Sequence, residues 1–236
     1  MHVWDLSKPT AKPTIKQSPL YLNSSRYVLL SHSAAMVTGG ETSATSCVKV
    51  GLRNGEIVEL PELLRKHEWH GIARLGRAVY ISGGCFMPST AKYAEKYEDG
   101  RWVEIADMTV PRYNHTLCAY LKRIYAFGGS NSVYLDSIEY YDGMIWTLAP
   151  MKLPTARNYS SVLPVKTGLL LVAGFSPSNQ KKLVHIWEEG NKRWRELGPI
   201  STTYSLSNAL ALRKGVVYMY SWSPSQDTFS LISHIE

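Results

Sequence analysis

One beat runs through most of this 236-residue chain and constrains its fold more than any other feature. Glycine pairs close β-like runs at Val37-Thr38-Gly39-Gly40, Ile81-Ser82-Gly83-Gly84 and Ala126-Phe127-Gly128-Gly129. A degenerate version follows at Val172-Ala173-Gly174, and a fainter one at Tyr218-Met219-Tyr220-Ser221. The last residues of these runs lie 44, 45, 45 and 47 positions apart. A second marker keeps the same time: Asn54-Gly55, Asp99-Gly100, Asp142-Gly143 and Glu189-Gly190. Trp102, Trp146 and Trp194 form a third, each shortly beyond that turn. Three markers in phase define a repeat, one supersecondary unit that must stack on its neighbours to bury its apolar face.

Each period reads as four short strands. In the third, Asn114 to Leu121, Arg123 to Phe127, Ser137 to Tyr141 and Ile145 to Ala149 are strands a to d. They are rich in β-branched and aromatic residues and bounded by Gly, Asp, Pro and Lys-Arg turns. The Asn-Gly and Asp-Gly dipeptides between c and d predict type I′ hairpins, which need positive φ at both central residues. The glycine pair lets the chain leave strand b where a side chain would meet neighbouring backbone. Leu60 to His67, the best helical candidate, is short and holds Pro61, so a turn is expected. A four-stranded sheet repeated radially every 45 or so residues is a β-propeller blade.

The order Gly-Gly, Tyr, Trp, Met, Pro/Ala-Arg resembles the Kelch motif. It is clearest in Gly128-Gly129, Tyr140-Tyr141, Trp146, Met151 and Ala156-Arg157, and nearly as clear in Gly83-Gly84, Tyr97, Trp102, Met108 and Pro111-Arg112. The resemblance runs from about Ser25 to Glu236, although Ile57-Val58 stand where the first repeat should carry its Trp. It implies an all-β propeller of five four-stranded Kelch-type blades forming one domain over 1–236. Expected blade bounds are about 25–67, 68–112, 113–157, 158–204, and 205–236 joined by 1–9. The last segment lacks a strand d, whereas Val3 to Lys12 parallels Ile145 to Arg157. Trp4 is therefore expected to supply the missing strand and close the ring; a blade from a second chain is the alternative.

Apolar residues make up 44% and charged residues 19%, which excludes a disordered chain. The longest apolar run, Gly168 to Phe175, has strand length, so no membrane helix is expected. The N-terminus has no basic and apolar regions of a secretory signal. Cys47, Cys85 and Cys118 match neither a disulfide framework nor a zinc spacing, and reduced thiols in a cytoplasmic protein follow. The triplets at Asn23, Asn114 and Asn158 carry no weight as glycan sites in that setting.

In an alternating blade the b-to-c and d-to-a loops share one face. Long loops on a rigid scaffold are where recognition resides. Partner-binding candidates on that face are Phe86, Tyr113, Asn114, His115, Ser130, Asn131, Asn158, Tyr159, Phe175, Trp222, Trp69 and His70. Their mixture of aromatic and polar types suits a protein-binding patch. The repeated Tyr and Trp are assigned to packing between blades, and Arg112 and Arg157 to bracing blade corners. The net charge of +7 is spread over both faces. The expected partner is another protein, an acidic peptide segment being compatible with the charge; nucleic acid and membrane are not expected.

Catalytic signatures are absent. His67-Glu68-Trp69-His70 lacks the spacing of a zincin helix, and no P-loop, G-x-S-x-G or G-x-G-x-x-G occurs. No catalytic residue, metal or cofactor is assigned. Kelch proteins are commonly scaffolds, cytoskeletal binders or ligase substrate receptors, so the resemblance implies a non-catalytic interaction module. No BTB-like helical region precedes the repeats, so a ligase role would need another subunit. The rival reading is a small-molecule enzyme, mutarotase- or lyase-like, using His70, His115 and an Arg at the mouth of the central channel. A tight His, Arg and acid cluster there would favour the enzyme, and a broad aromatic rim the binder.

Overall fold

The computed structural model describes residues 24–41, 43–86, 89–177 and 183–199, together with the backbone of strands at 2–3, 14–15, 207–213, 216–221 and 228–234. Strands β1 (His2–Val3) and β2 (Thr14–Ile15) pair with each other. Four four-stranded antiparallel meanders follow. The first is β3 (Arg26–Ser31), β4 (Ala34–Thr38), β5 (Cys47–Gly51) and β6 (Ile57–Glu59). The second is β7 (Gly71–Leu75), β8 (Ala78–Phe86), β9 (Ser89–Glu98) and β10 (Arg101–Ile105). The third comprises β11 (Thr116–Tyr120), β12 (Arg123–Phe127), β13 (Ser137–Tyr141) and β14 (Trp146–Lys152). The fourth comprises β15 (Ser161–Val165), β16 (Gly168–Val172), β17 (Leu183–Glu188) and β18 (Arg193–Pro199). Strands β19 (Ser207–Arg213), β20 (Val216–Ser221) and β21 (Thr228–His234) form a three-stranded sheet. The first strands β3, β7, β11, β15 and β19 pack successively side by side, so the sheets are arrayed as a β-propeller. No helix among the described residues is long and apolar enough to cross a membrane.

Two expectations change. The described residues show four complete blades, not five, because the last sheet has three strands. Val3 pairs with Thr14 and not with that sheet, while Trp4 lies outside the described residues. Pairing β1 with β2 closes a short loop, entropically cheaper than one spanning most of the chain. The expected type I′ hairpins hold at one Asp-Gly pair and not at the other. Asp99 and Gly100 have φ of 50° and 81°, as a two-residue type I′ loop demands. The longer loop after β13 turns differently: Asp142 accepts the N–H groups of Met144 and Ile145 at 2.9 and 3.0 Å, an Asx turn.

No blade buries its faces alone. Met36, Cys47 and Leu63 of the first blade form one cluster with Val79, Ile81 and Trp102 of the second. Tyr141 and Trp146 of the third pack against Ala73, Ala94 and Met108 of the second. Trp187 of the fourth joins Cys118, Tyr125, Phe127 and Leu153 of the third. The repeated aromatics are cross-strand neighbours: Tyr97 opposes Trp102, Tyr141 opposes Trp146 and Trp187 opposes Trp194, with centroids 5.2, 5.5 and 5.6 Å apart. Trp102 and Trp194 also donate to the preceding blade, at the carbonyls of Pro61 and Lys152.

The glycine pairs sit where these blades are stitched. A Cβ on Gly83 would lie 2.3 Å from the Arg112 carbonyl, which accepts from Gly84 N–H at 2.9 Å. Gly128 and Gly129 relate to Arg157 in the same way. The neighbouring backbone that excludes a side chain is thus the blade's own exit link. All three cysteines are free; Cys47 and Cys118 are buried, and burial pushes both thiols up to about 12.

Candidate functional site

At the axial end of the d-to-a loops, four residues 45 positions apart adopt the left-handed conformation: Ser24, Trp69, Asn114 and Tyr159, with φ of 63°, 55°, 52° and 52°. Their backbones join head to tail. Trp69 N–H donates to the Ser24 carbonyl at 3.1 Å, Asn114 to Trp69 at 2.7 Å, and Tyr159 to Asn114 at 2.9 Å. This hydrogen-bonded arc ties the four blades at the axis. Three of its side chains form a connected group with Arg26. The Arg26 Nη2 donates to Asn114 Oδ1 at 3.0 Å, and its guanidinium lies 5.5 Å from the Trp69 ring centroid. Trp69 meets Tyr159 edge-on at 5.9 Å, and Tyr159 meets Phe175 likewise at 5.9 Å. Rings on the links that enter the second and fourth blades therefore touch. Burial pushes Arg26 down to about 10, against the opposing pull of Tyr159 and Tyr27, so the group stays cationic at neutral pH.

His70 and His115 lie one step below this layer, both buried. Each reaches back to the preceding blade: His70 Nε2 is 2.8 Å from Thr38 Oγ1 and His115 Nε2 is 3.1 Å from Ser82 Oγ. Burial first, then the neighbouring imidazole and guanidinium groups, holds both imidazoles well below their ordinary pKa, so they are neutral. A Cβ on Gly71 would lie 2.5 Å from His115 Nε2, which marks the ring as a wedge between strands. The pair differs from an acid–base couple: no carboxylate among the described residues bonds to His70, His115 or Arg26. No group of three or more His, Cys, Asp or Glu suited to a metal occurs among the described residues.

A second row locks the blades from one side. His67, Arg112 and Arg157, again 45 apart, end successive blades and each inserts into the next. His67 Nδ1 lies 2.8 Å from the Gly83 carbonyl and Nε2 3.2 Å from Glu95. Arg112 donates to the Gly128 carbonyl at 2.6 Å and reaches Glu139 at 2.8 Å, both partners fully buried. Arg157 donates to the Ala173 carbonyl at 3.1 Å. The two arginines brace blade corners, as their phase indicates.

The twelve sequence candidates divide by exposure. Phe86 is 46% exposed at the tip of the extended β8–β9 hairpin, with Lys66 Nζ 4.5 Å from its ring centroid. Trp69, Tyr113, Asn131, Tyr159 and Phe175 are half-buried along the same rim. Asn114, His115, His70, Ser130 and Asn158 are buried and bond inward; Asn158, for instance, donates to Ser130 Oγ at 3.0 Å. These five hold the loops and do not form their outer surface. Trp222 lies outside the described residues. Sequence reasoning missed Arg26, and missed Val133 and Tyr134, which are 64% and 41% exposed beside Asn131. Arg26 gave no signal of its own in the sequence: it stands two residues beyond Ser24, whose kinship with Trp69, Asn114 and Tyr159 lies in backbone conformation.

Residues 111–143 match the family described as the Kelch motif. Among solved structures, the chain is similar to that of YjhT, with a TM-score of 0.73 at 13% identity, over 86% of this chain and 72% of that one. At that identity the likeness is one of fold.

Proposed function

We propose, for a chain that belongs to the Kelch-repeat β-propellers, that the face carrying the d-to-a and b-to-c loops is a non-catalytic docking surface for another protein, on one propeller spanning 1–236. The observation that carries this reading is the connected aromatic rim. Trp69, Tyr159 and Phe175 touch in series, and Phe86 and Tyr134 stand exposed beyond them. Rigid aromatics on a fixed backbone lose little entropy when a partner covers them, which is why such residues dominate binding energy. The two buried histidines beneath the rim are committed to Thr38 and Ser82. Partners captured from the protein's own cell lysate by wild type are expected to be lost from a folded Phe86→Ala/Tyr134→Ala/Phe175→Ala variant. Retention of every partner by that variant overturns the choice of surface.

One observation favours the second reading, a small-molecule site at the mouth. The Arg26 guanidinium is bonded to Asn114 and the Ser25 carbonyl and lacks a carboxylate among the described residues. A carboxylate-bearing small molecule that raises the melting temperature of wild type but not of Arg26→Met would support it.

A further inference from the structure

The opposite face, made of a-to-b and c-to-d turns, is not uniform around the propeller. Between the first two blades it opens into a groove of about 840 Å³, within the size range of ligand sites. Its floor is apolar, with Met36 and Val79 buried and Leu30, Leu60 and Tyr97 half-buried. Its walls are cationic: Lys49, Arg53, Arg74 and Arg77 are all exposed, against the single carboxylate of Glu56.

The repeat explains why the groove exists here. The β-ladders place Met36, Tyr80 and Tyr125 in one phase, Lys49, Lys96 and Tyr140 in a second, and Leu30, Leu75 and Tyr120 in a third. At the boundary of the second and third blades, Tyr80 meets Tyr141 with centroids 6.1 Å apart. In the third blade, Tyr125 meets Tyr120 edge-on and Tyr140 at a tilt, with centroids 6.0 and 5.6 Å apart. The first blade offers Met36 and Leu30 in these places, and ring volume is missing. A carboxylate is missing too. Lys96 pairs with Glu98 at 2.7 Å, but the residue two beyond Lys49 is Gly51. Neither Lys49, Arg53 nor Arg77 pairs with a carboxylate among the described residues.

We infer that this groove docks an acidic peptide segment of a partner protein. Its carboxylates take the place that Glu98 fills beside Lys96, and an apolar side chain fills the space that tyrosine rings occupy at the next boundary. The apolar floor flanked by cations on two blades favours such a peptide over a nucleic acid, whose recognition relies on a basic track and bases stacked on exposed rings. The groove lies on the face opposite the aromatic rim, so either surface can fail its test while the other stands.

The test uses the whole chain and fluorescein-labelled decapeptides of alternating Glu and Leu, Gln and Leu, or Lys and Leu, with a single-stranded oligonucleotide as a further probe. Anisotropy titrations are expected to show binding of the Glu peptide at least about tenfold tighter than of the Gln peptide, weakening with salt. A Lys49→Gln/Arg53→Gln/Arg77→Gln variant, changed only at exposed positions, is expected to lose about tenfold or more of that affinity while its melting temperature holds. A Phe86→Ala/Tyr134→Ala variant is expected to bind the Glu peptide as wild type does. Equal binding of Glu and Gln peptides overturns the proposal, as does an affinity unchanged in the triple variant. Tighter binding of the oligonucleotide, lost in the triple variant, overturns the choice of partner.

Discussion

The boundary between the second and third blades and the boundary between the third and fourth use the same slot with opposite electrostatics. At the former, Arg112 enters the third blade and meets Glu139 at 2.8 Å, with both groups fully buried. Glu139 also accepts the Thr109 N–H at 2.7 Å, so one carboxylate ties together link and strand. At the latter, Arg157 occupies the same phase, but His185 stands where the earlier blades carry Glu95 and Glu139. Burial pushes Arg157 down to about 10, and no acid among the described residues offsets it. Burial, followed by Arg157, also lowers the pKa of His185, so that imidazole is neutral. The contrast teaches that the latch position must donate to the glycine-turn carbonyl of the next blade, while the counter-charge on strand c is optional.

The contrast breaks most sharply at Glu139. Glu139→Ala leaves Arg112 charged and buried without a counter-charge, and is expected to cost about 3–5 kcal/mol in urea unfolding. A loss below about 1 kcal/mol would mean that the carbonyls of Gly128 and Ser137 suffice, as Ala173 does for Arg157.

His185→Glu runs the experiment in reverse by giving Arg157 the acid its predecessors have. Because the arginine's desolvation is already present in the wild type, a gain of about 1–2 kcal/mol is expected in the same assay. A loss would show that the Arg157 guanidinium is held by Thr155 and cannot turn to the new carboxylate.

Acid should weaken the histidine-bearing boundary. His185, His70 and His115 all have folded-state pKa values below the ordinary 6.5, the latter two well below. The unfolded chain therefore binds more protons just below pH 6.5, so their contribution is full above that value and is lost as pH falls beneath it. Stability measured from pH 7.5 down to 5 is expected to fall with a slope that His185→Gln reduces and His70→Asn/His115→Asn reduces further. An unchanged slope in both variants would contradict the burial argument.

The smallest effect is expected at the half-buried Lys96–Glu98 pair, where Lys96→Gln should change stability by no more than about 0.5 kcal/mol. That near-neutrality is what makes Lys49, its unpaired counterpart, available for binding without penalty to the fold.

Much of this was legible in the sequence because the repeat carries its own chemistry. Arg123–Phe127 and Ser137–Tyr141 are strands with the bounds read from residue types alone, and the glycine pairs avoid backbone as anticipated. Strand β14 runs on to Lys152 because Lys152 pairs with Ser137 across an irregularity that residue types do not reveal. The row of Ser24, Trp69, Asn114 and Tyr159 stayed hidden for a different reason. What these four share is a backbone conformation and a hydrogen bond, and no side-chain property announces either. His67 escaped as the counterpart of Arg112 because an imidazole and a guanidinium look unrelated until each is seen donating to the equivalent turn of the next blade. The site candidates mixed surface with framework, since Asn, Ser and His serve equally well in a loop that binds and in one that is merely held.

The head-to-tail arc of backbone bonds gives assembly a direction. The Ser24 carbonyl has its partner only once Trp69 has been made, Trp69 then awaits Asn114, and Asn114 awaits Tyr159. The side-chain latches point the same way, from each finished blade into the next. A chain emerging from the ribosome thus always ends in a sheet with open valences, and each newly synthesised sheet satisfies the last one while creating the same demand again, much as a growing polymer regenerates its reactive end.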